Sequence, residues 1–330
     1  MTDTGPLFLS SGDLIADRRY KWALDQAARG DFAGAAEILE QTVELAPGFA
    51  TAWFALGAIR DQLGDRNKAV AAFEQARDAD PDDYHGARLQ LARIGTGDAA
   101  PPMTQTYVRR LFDQYAARYD VSLTEHLGYR GPALLRAAVE SVMRAAKRPM
   151  RFGSMLDLGC GTGLGGAAFR PFVDWLVGVD LSPEMIAQAA TKGLYDRLVT
   201  SDIADCLADE AADKAKYHFV LSADVFVYLN DLAPVIASVA RVLAPDALFA
   251  FTVETHPGGG VKLLPTLRYA HGEAYVRAVL RDAGLVAAHL AKTPVRTEKG
   301  VPVESLVVVA VQPNSAHSRA SGNPVPMERQ

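Results

Sequence analysis

The chain has 330 residues, of which 49% are hydrophobic and 22% charged, and its formal net charge at pH 7 is -5. This length allows two domains, and the composition is typical of a globular protein rather than a disordered or fibrous one. The excess of acidic residues argues against a general nucleic-acid binder. The two cysteines, Cys160 and Cys206, support neither a disulfide framework nor a cysteine-ligated zinc site, so no metal is predicted.

The N-terminal stretch MTDTGPLFLSSGD lacks the basic start and the long apolar run of a signal peptide. No apolar run approaches the length of a membrane span. We therefore expect a soluble, cytoplasmic protein with no membrane partner.

Residues 16–95 contain a repeat whose two copies match at a shift of 34 residues, as from Gly30 to Gly64. In the second copy, Gly57 and Ala69 let two helices approach closely, and Gly64 turns the chain between these helices. The pattern resembles tetratricopeptide repeats, with YHGARLQLARI as a third, capping first helix. Two interpretations stay open, a surface that docks a peptide or partner and a module that stabilises its neighbour. Further matched pairs are Asp31 with Asp65, Leu39 with Phe73 and Pro47 with Pro81.

Beyond the repeats, β-forming runs alternate with helical stretches. Strands separated by such helices predict right-handed crossovers and a doubly wound α/β domain with a mainly parallel, seven-stranded sheet. The last two strands have no helix between them and predict an antiparallel edge hairpin. The predicted boundaries are an N-terminal segment over 1–15, repeats over 16–95, a linker over 96–103, the α/β domain over 104–312 and a disordered tail over 313–330. The seven predicted strands are MLDLG, WLVGVD, RLVTSDI, HFVLSADVF, ALFAFTVE, LVAAHLAKT and ESLVVVAVQ.

The stretch LDLGCGTG at residues 156–163 predicts a strand, a tight turn and a helix start. With Gly166 it also satisfies the GxGxxG spacing of dinucleotide-binding proteins. Asp157, however, stands where a pyrophosphate would be repelled and where an ammonium would be attracted. Asp180 and Asp202 end the next two strands and suit ribose hydroxyls and an adenine amine. Three carboxylates favour a cationic nucleoside and disfavour a nicotinamide oxidoreductase.

These segments resemble the class I S-adenosylmethionine-dependent methyltransferases, which have a Rossmann-like fold. The resemblance covers residues 104–312 and also includes GVDLSPEMI, TSDI, HFVLSADVFVYLND and the short lid helix FDQYAARYD. Together with the repeats, the chain resembles bacterial predicted methyltransferases that carry tetratricopeptide repeats. The resemblance implies S-adenosylmethionine as the cofactor.

The resemblance also implies roles for individual residues. The turn glycines would let the backbone approach the methionine part, whose amino group Asp157 would hold directly or through water. Tyr115 or Tyr119 would fold over the methionine end, although both share a helical face with Phe112 and would equally fit a core. The implied cofactor-binding residues are Gly159, Gly161, Gly163 and Asp157 at the methionine part, Asp180 and Leu181 at the ribose, Asp202 and Ile203 at the adenine, and Tyr115 and Tyr119 on the lid.

Methyl transfer needs alignment and exclusion of water, and a base only where the acceptor starts protonated. Candidate bases are Asp224, Tyr228 and His256. Asp224 would equally fit a helix cap at a strand end, and His256 would equally fit a surface histidine without a catalytic role. Arg268 and His271 would bind an anionic substrate group, or would simply form a solvated helix start.

Near the C-terminus, VRTEKGVPVESLVVVA predicts a turn at Lys299 and Gly300. We interpret Arg296 and Glu298 there as charges of an edge strand that resists aggregation, rather than as part of the site.

The predicted function is methyl transfer to an oxygen or nitrogen of a small-molecule acceptor. Two alternatives stay open: a protein methyltransferase whose repeats dock the substrate, and a non-catalytic interaction protein that retains the cofactor fold.

Overall fold

The computed structural model describes residues 8–96, 99–121, 128–298 and 300–314. The chain divides into two units. The helical unit comprises the residues up to 119 together with 227–230 and 260–271, and the α/β unit comprises 120–226, 231–259 and the residues from 272 onward. Most of the predicted tail, residues 315–330, lies outside the described residues, as does Lys299 of the predicted turn.

The described helices are α1 Leu14–Ala28, α2 Phe32–Leu45, α3 Ala50–Gln62, α4 Arg66–Ala79, α5 Ala87–Arg93, α6 Gln105–Tyr115, α7 Tyr119–Val121, α8 Gly131–Ala145, α9 Leu164–Phe169, α10 Pro183–Thr191, α11 Ile203–Ala212, α12 Ala233–Val242 and α13 Glu273–Asp282. The described strands are β1 Phe152–Leu158, β2 Val173–Asp180, β3 Arg197–Thr200, β4 Tyr217–Ser222, β5 Leu243–Glu254, β6 Val261–Leu263, β7 Tyr269–His271, β8 Val286–Lys292, β9 Thr297–Glu298, β10 Val301–Pro302 and β11 Ser305–Val311.

In the helical unit, equivalent positions of the repeat perform the same local task. Asp31 accepts a hydrogen bond from the Gly34 N–H at 2.9 Å and caps α2. Asp65 accepts one from the Lys68 N–H at 3.4 Å and caps α4. A carboxylate at this position satisfies backbone donors that have no partner within the helix. The repeat read from the sequence therefore begins its second helices in the same way.

The interior of the repeats is packed closely where a small residue faces an aromatic ring. A Cβ at Gly57 of α3 would lie 2.7 Å from the Phe73 ring of α4, which is fully buried. The missing side chain thus sets how near α3 and α4 approach. The surrounding core is formed by α1, α2 and α3, with Tyr20, Leu39 and Phe49 almost completely buried.

The helical unit also contains a short antiparallel hairpin of β6 and β7. Tyr269 of β7 is buried in one cluster with Leu89 of α5 and Tyr107 of α6. Its hydroxyl donates to the Pro101 carbonyl oxygen, and the Asn230 side chain donates to the Ala100 carbonyl oxygen at 2.8 Å. Residues near 100 are therefore held by segments that follow them by more than a hundred positions.

The α/β unit is built on a sheet whose strand order is β3-β2-β1-β4-β5-β11-β8. The first five strands in this order run parallel to one another, and β11 is antiparallel to both β5 and β8. The predicted fold class, its seven strands and the antiparallel pairing of the last two are thus confirmed. The central strands read as apolar runs because helices cover both faces, and Leu156, Val177 and Val220 are fully buried. Four short strands, β6, β7, β9 and β10, were not predicted.

No helix in the described parts of the chain is both long and apolar enough to cross a membrane.

Replacing Gly57 with alanine should destabilise the helical unit by about 1 to 3 kcal/mol, because the added methyl group overpacks the Phe73 ring. The measurement is denaturant unfolding of the full chain followed by far-ultraviolet circular dichroism. Gly48→Ala is the matched control, since a Cβ there meets nothing within 4 Å. Equal midpoints for the two variants would contradict the close approach of α3 and α4.

Candidate active site

The turn after β1 is formed by glycines in the left-handed region. Gly159, Gly161 and Gly163 have φ values of 68°, 53° and 95°. Other residues adopt this region only with strain, so the alternation of glycines in LDLGCGTG follows from the backbone path. A Cβ at Gly159 would also overlap Val225, which follows β4. The turn therefore presents bare backbone at the carboxyl end of the sheet, where ligands of such folds bind.

Asp180 is oriented by the turn itself. One carboxylate oxygen accepts the Gly161 N–H at 2.8 Å, and the other accepts the Ser182 N–H at 2.9 Å. The side chain is 9% exposed. These two hydrogen bonds fix the orientation of the carboxylate at the turn. Leu181 follows Asp180, and Ser182 then caps α10 through the Met185 N–H at 3.1 Å.

Asp157 lies beneath the turn and is 1% exposed. Its Oδ2 accepts a hydrogen bond from the Tyr195 hydroxyl at 2.7 Å. Burial raises the pKa of Asp157 to about 7, the charge of Asp180 raises it further, and hydrogen bonds from Tyr195 and Gly166 oppose the rise. The carboxyl group therefore changes charge near neutral pH. So small an exposed fraction favours the water-mediated form of the predicted contact with an amino group.

Asp202 has a structural task that the sequence analysis did not assign. Its Oδ1 accepts the Ala204 N–H at 2.7 Å and caps α11, beside the half-buried Ile203. Asp157 and Asp180 lie at the carboxyl ends of β1 and β2, and Asp202 comes just after β3. These three strands are neighbours and run parallel. The predicted acids are thus brought to one end of the sheet, and their contacts with a cofactor remain predictions.

Asp120 at the end of FDQYAARYD reaches the same turn. It accepts a hydrogen bond from the Thr162 hydroxyl and pairs with the Lys192 ammonium at 2.6 Å. Thr162 lies between two turn glycines, and Lys192 follows α10. The segment that resembles a lid is therefore tied at its last residue to the predicted cofactor loop.

Asp224, a candidate base, belongs to a buried ion-pair cluster. The Arg296 guanidinium donates to Asp224 at 2.6 Å and also to Glu254 at the end of β5. All three side chains are less than a tenth exposed. The interpretation of Arg296 as a charge of an exposed edge strand is therefore wrong, because it neutralises carboxylates at the ends of two central strands. The carboxylate of Asp224 is thus engaged in an ion pair rather than presented to solvent.

Asp224 also has an unusual backbone. Its φ is 62°, and its N–H donates to the Thr252 hydroxyl at 2.9 Å. A left-handed φ at a residue other than glycine needs support from its surroundings, which Arg296 and Thr252 supply here. The following residue, Val225, is the one that packs against Gly159.

His256, the other candidate base in the α/β unit, lies in the loop after β5 and is half-buried. Its Nδ1 accepts the Gly258 N–H at 3.1 Å. This ring nitrogen is thus used within the loop.

The remaining predicted residues belong to the helical unit. The Phe112 ring contacts Tyr228 at 5.2 Å between centroids, and the Arg268 guanidinium lies 5.9 Å from the Tyr228 ring centre. His271 is fully buried in β7 and donates from Nε2 to the Leu229 carbonyl oxygen at 3.0 Å. A solvated helix start is therefore the wrong description of His271. The lid residues Tyr115 and Tyr119 are half-buried, and Phe112 also contacts Tyr119 at 6.1 Å. The predicted roles of these residues stay predictions.

Comparison with known proteins bears directly on this turn. Residues 156–251 match the family model described as a methyltransferase domain, and residues 26–93 match that of the tetratricopeptide repeat. The chain therefore carries a methyltransferase domain. The predicted methyltransferase domain and the predicted repeats are confirmed over these residues.

Individual relatives are similar over part of the chain. The human methyltransferase-like protein 27 is 38% identical over 105 residues, which are 32% of this chain and 40% of that protein. The chain thus spans two fifths of the length of this relative.

Two solved structures are similar over longer stretches. A Burkholderia thailandensis 1,6-didemethyltoxoflavin-N1-methyltransferase, with bound 1,6-didemethyltoxoflavin and S-adenosylhomocysteine, is 21% identical with a TM-score of 0.49, over 66% of this chain and 94% of that one. A magnesium protoporphyrin IX methyltransferase from Synechocystis PCC 6803, with bound SAM, is 18% identical with a TM-score of 0.42, over 70% and 94% of the two chains.

Removal of Arg296 should be costly, because it takes away the guanidinium that pairs with two buried carboxylates, those of Asp224 and Glu254. Arg296→Met should destabilise the α/β unit by about 3 to 5 kcal/mol. Thermal unfolding measures this. Arg151→Met, which breaks the exposed pair with Asp174, is the control and should cost at most about 1 kcal/mol. Equal losses of stability in the two variants would show that the buried ion pairs of Arg296 contribute no more than an exposed pair.

Asp157→Asn should stabilise the protein without ligand relative to the wild type, increasingly as pH rises. The wild-type carboxyl has its pKa raised to about 7 in the fold, so ionising it between about pH 4 and 7 costs stability that asparagine does not lose. The difference should grow over that range, by up to about 4 kcal/mol, and level off above it. Unfolding curves at several pH values measure it, and parallel pH profiles would contradict the raised pKa.

Proposed function

We propose that the protein transfers a methyl group from S-adenosylmethionine to an oxygen or nitrogen of a small-molecule acceptor. The observation that carries the proposal is the arrangement of Asp157, Asp180 and Asp202 at the carboxyl ends of three adjacent parallel strands, around a turn of left-handed glycines. The methyltransferase family match over this segment supports it.

The residues present fit the proposed cofactor. The left-handed glycines leave the backbone of the turn without side chains, which suits the close approach of a ligand, and a Cβ at Gly159 would overlap Val225. Asp180, whose oxygens are held by Gly161 and Ser182, suits the ribose hydroxyls. The charge of Asp157 suits the ammonium of the methionine part, and Asp202 with Ile203 suits the adenine. Tyr115 and Tyr119 stay proposed as lid residues on the resemblance of their segment alone.

S-adenosylmethionine supplies a methyl group that is activated by a positively charged sulfur. The protein then needs to hold the acceptor in line with that methyl and to keep water out, and no covalent protein intermediate is required. Among the proposed bases, His256 and Tyr228 rank ahead of Asp224, whose carboxylate is engaged in a buried ion pair with Arg296. An acceptor that is already a carboxylate would need no base.

A small acceptor is supported by the lid-like segment 112–120 and by Arg268, which suits an anionic group. His271 is proposed to support Arg268 in that task. A second candidate, a protein substrate or partner docked by the repeats, is favoured by the tetratricopeptide match. A cytoplasmic location is also proposed, and its support is that Cys160 and Cys206 are both free thiols.

The proposal is tested by calorimetric titration of the full chain with S-adenosylmethionine and S-adenosylhomocysteine, followed by a search for acceptors. Asp180→Ala should weaken the binding of both by about 1 to 3 kcal/mol, through loss of hydrogen bonds to a charged acceptor. Asp174→Ala, at the opposite end of the same strand β2, should leave both affinities unchanged.

The outcomes separate the claims. A wild-type chain that binds neither ligand would overturn the proposed function. Binding that is unaffected by Asp180→Ala would remove Asp180 from the ribose site and leave the function standing.

A further inference from the structure

Tyr195 occupies a position that no motif in the sequence explains. It lies in KGLYDRL, between α10 and β3, and its hydroxyl donates to Asp157 Oδ2 at 2.7 Å. Asp157 is the carboxylate proposed to attract the ammonium of the cofactor. Tyr195 therefore contacts a residue of the proposed cofactor site, Asp157, and packs against the hydrophobic core.

Three glycines on three elements make room for the Tyr195 side chain. A Cβ at Gly178 of β2 would lie 2.7 Å from its ring, and one at Gly163 of the turn 3.1 Å. A Cβ at Gly166 of α9 would overlap the hydroxyl. The third glycine of the GxGxxG spacing is thus needed for the Tyr195 hydroxyl to reach Asp157, and a dinucleotide is not needed to explain it.

We propose that Tyr195 is a positioning residue that orients Asp157 beneath the turn and favours its ionised form, so that the site selects ligands carrying an ammonium group. This inference rests on the proposed function. Tyr195 acts through Asp157 and is not itself proposed to touch the cofactor or the acceptor.

The electrostatic surroundings agree with this role. The titratable groups that face Asp157 are Tyr195, Asp180 at the end of β2 and Cys160 in the turn. Burial raises the pKa of Tyr195 well above its ordinary value, so its hydroxyl remains a donor. Burial likewise raises the pKa of Cys160, which stays a neutral thiol. A hydrogen bond from Tyr195 favours the ionised form of Asp157, and its loss would favour the protonated form near neutral pH.

The test compares two ligands that differ in the group of interest. S-adenosylhomocysteine carries the ammonium, and 5′-methylthioadenosine keeps the adenine and ribose but lacks the amino acid. In the full-length Tyr195→Phe variant, affinity for S-adenosylhomocysteine should fall about tenfold near neutral pH and recover partly at higher pH, where Asp157 ionises again. Affinity for 5′-methylthioadenosine should change by less than about twofold, because Asp180 is untouched.

Tyr217→Phe is the matched control. Tyr217 is also buried, and its hydroxyl donates to Glu210 at 2.7 Å, a second tyrosine–carboxylate pair that involves neither the turn nor Asp157. This variant should bind both ligands as the wild type does. Thermal unfolding of each variant without ligand verifies that the phenylalanine substitutions leave the fold intact.

A double-mutant cycle keeps the inference testable where the fold of one variant changes. If Tyr195 acts through Asp157, adding Tyr195→Phe to Asp157→Asn should change S-adenosylhomocysteine affinity by less than about twofold. Additive losses, equal losses for both ligands, or an unchanged affinity in Tyr195→Phe would each overturn the role of Tyr195. A wild-type chain that binds neither ligand would instead overturn the proposed function on which the inference rests.

Discussion

A carboxylate buried beneath a backbone turn is the constraint on which the proposed cofactor site depends. Asp157 is almost completely removed from solvent, and an ionised group there is costly unless it is hydrogen-bonded or paired. The Tyr195 hydroxyl supplies such a bond, and it reaches Asp157 because three surrounding positions carry no side chain. Gly163 of the turn therefore serves two purposes, a backbone path in the left-handed region and space for the ring that supports the carboxylate.

Carboxylates are also buried at the ends of β4 and β5, where an ion pair rather than a tyrosine hydroxyl stabilises them. Asp224 and Glu254 are buried at the ends of β4 and β5, and one guanidinium, that of Arg296, is shared between them. Arg296 thus pairs with the last residue of one central strand and with a residue just beyond the end of its neighbour. The same ion pairs connect two central strands to a segment close to the C-terminus.

Features that depend on short stretches of sequence were predictable, and those that depend on distant contacts were not. Local patterns of spacing and alternation predict the repeat, the seven main strands and the acids at the ends of β1, β2 and β3. Tyr195 and Arg296 carry no such pattern, because their roles exist only when segments 38 and 72 residues away fold against them. Arg296 was misread because a charged residue near an edge strand is usually exposed. Its burial is decided by Asp224 and Glu254.

Residues proposed to meet the acceptor belong to the helical unit. Tyr228 and Arg268 come after β4 and β5 in the chain, yet both belong to the unit that contains the repeats. The segment that holds Arg268 is anchored by Tyr269, which is buried with Leu89 of α5 and Tyr107 of α6. The repeats therefore help to build the support for residues proposed to meet the acceptor, whether or not they also bind a partner.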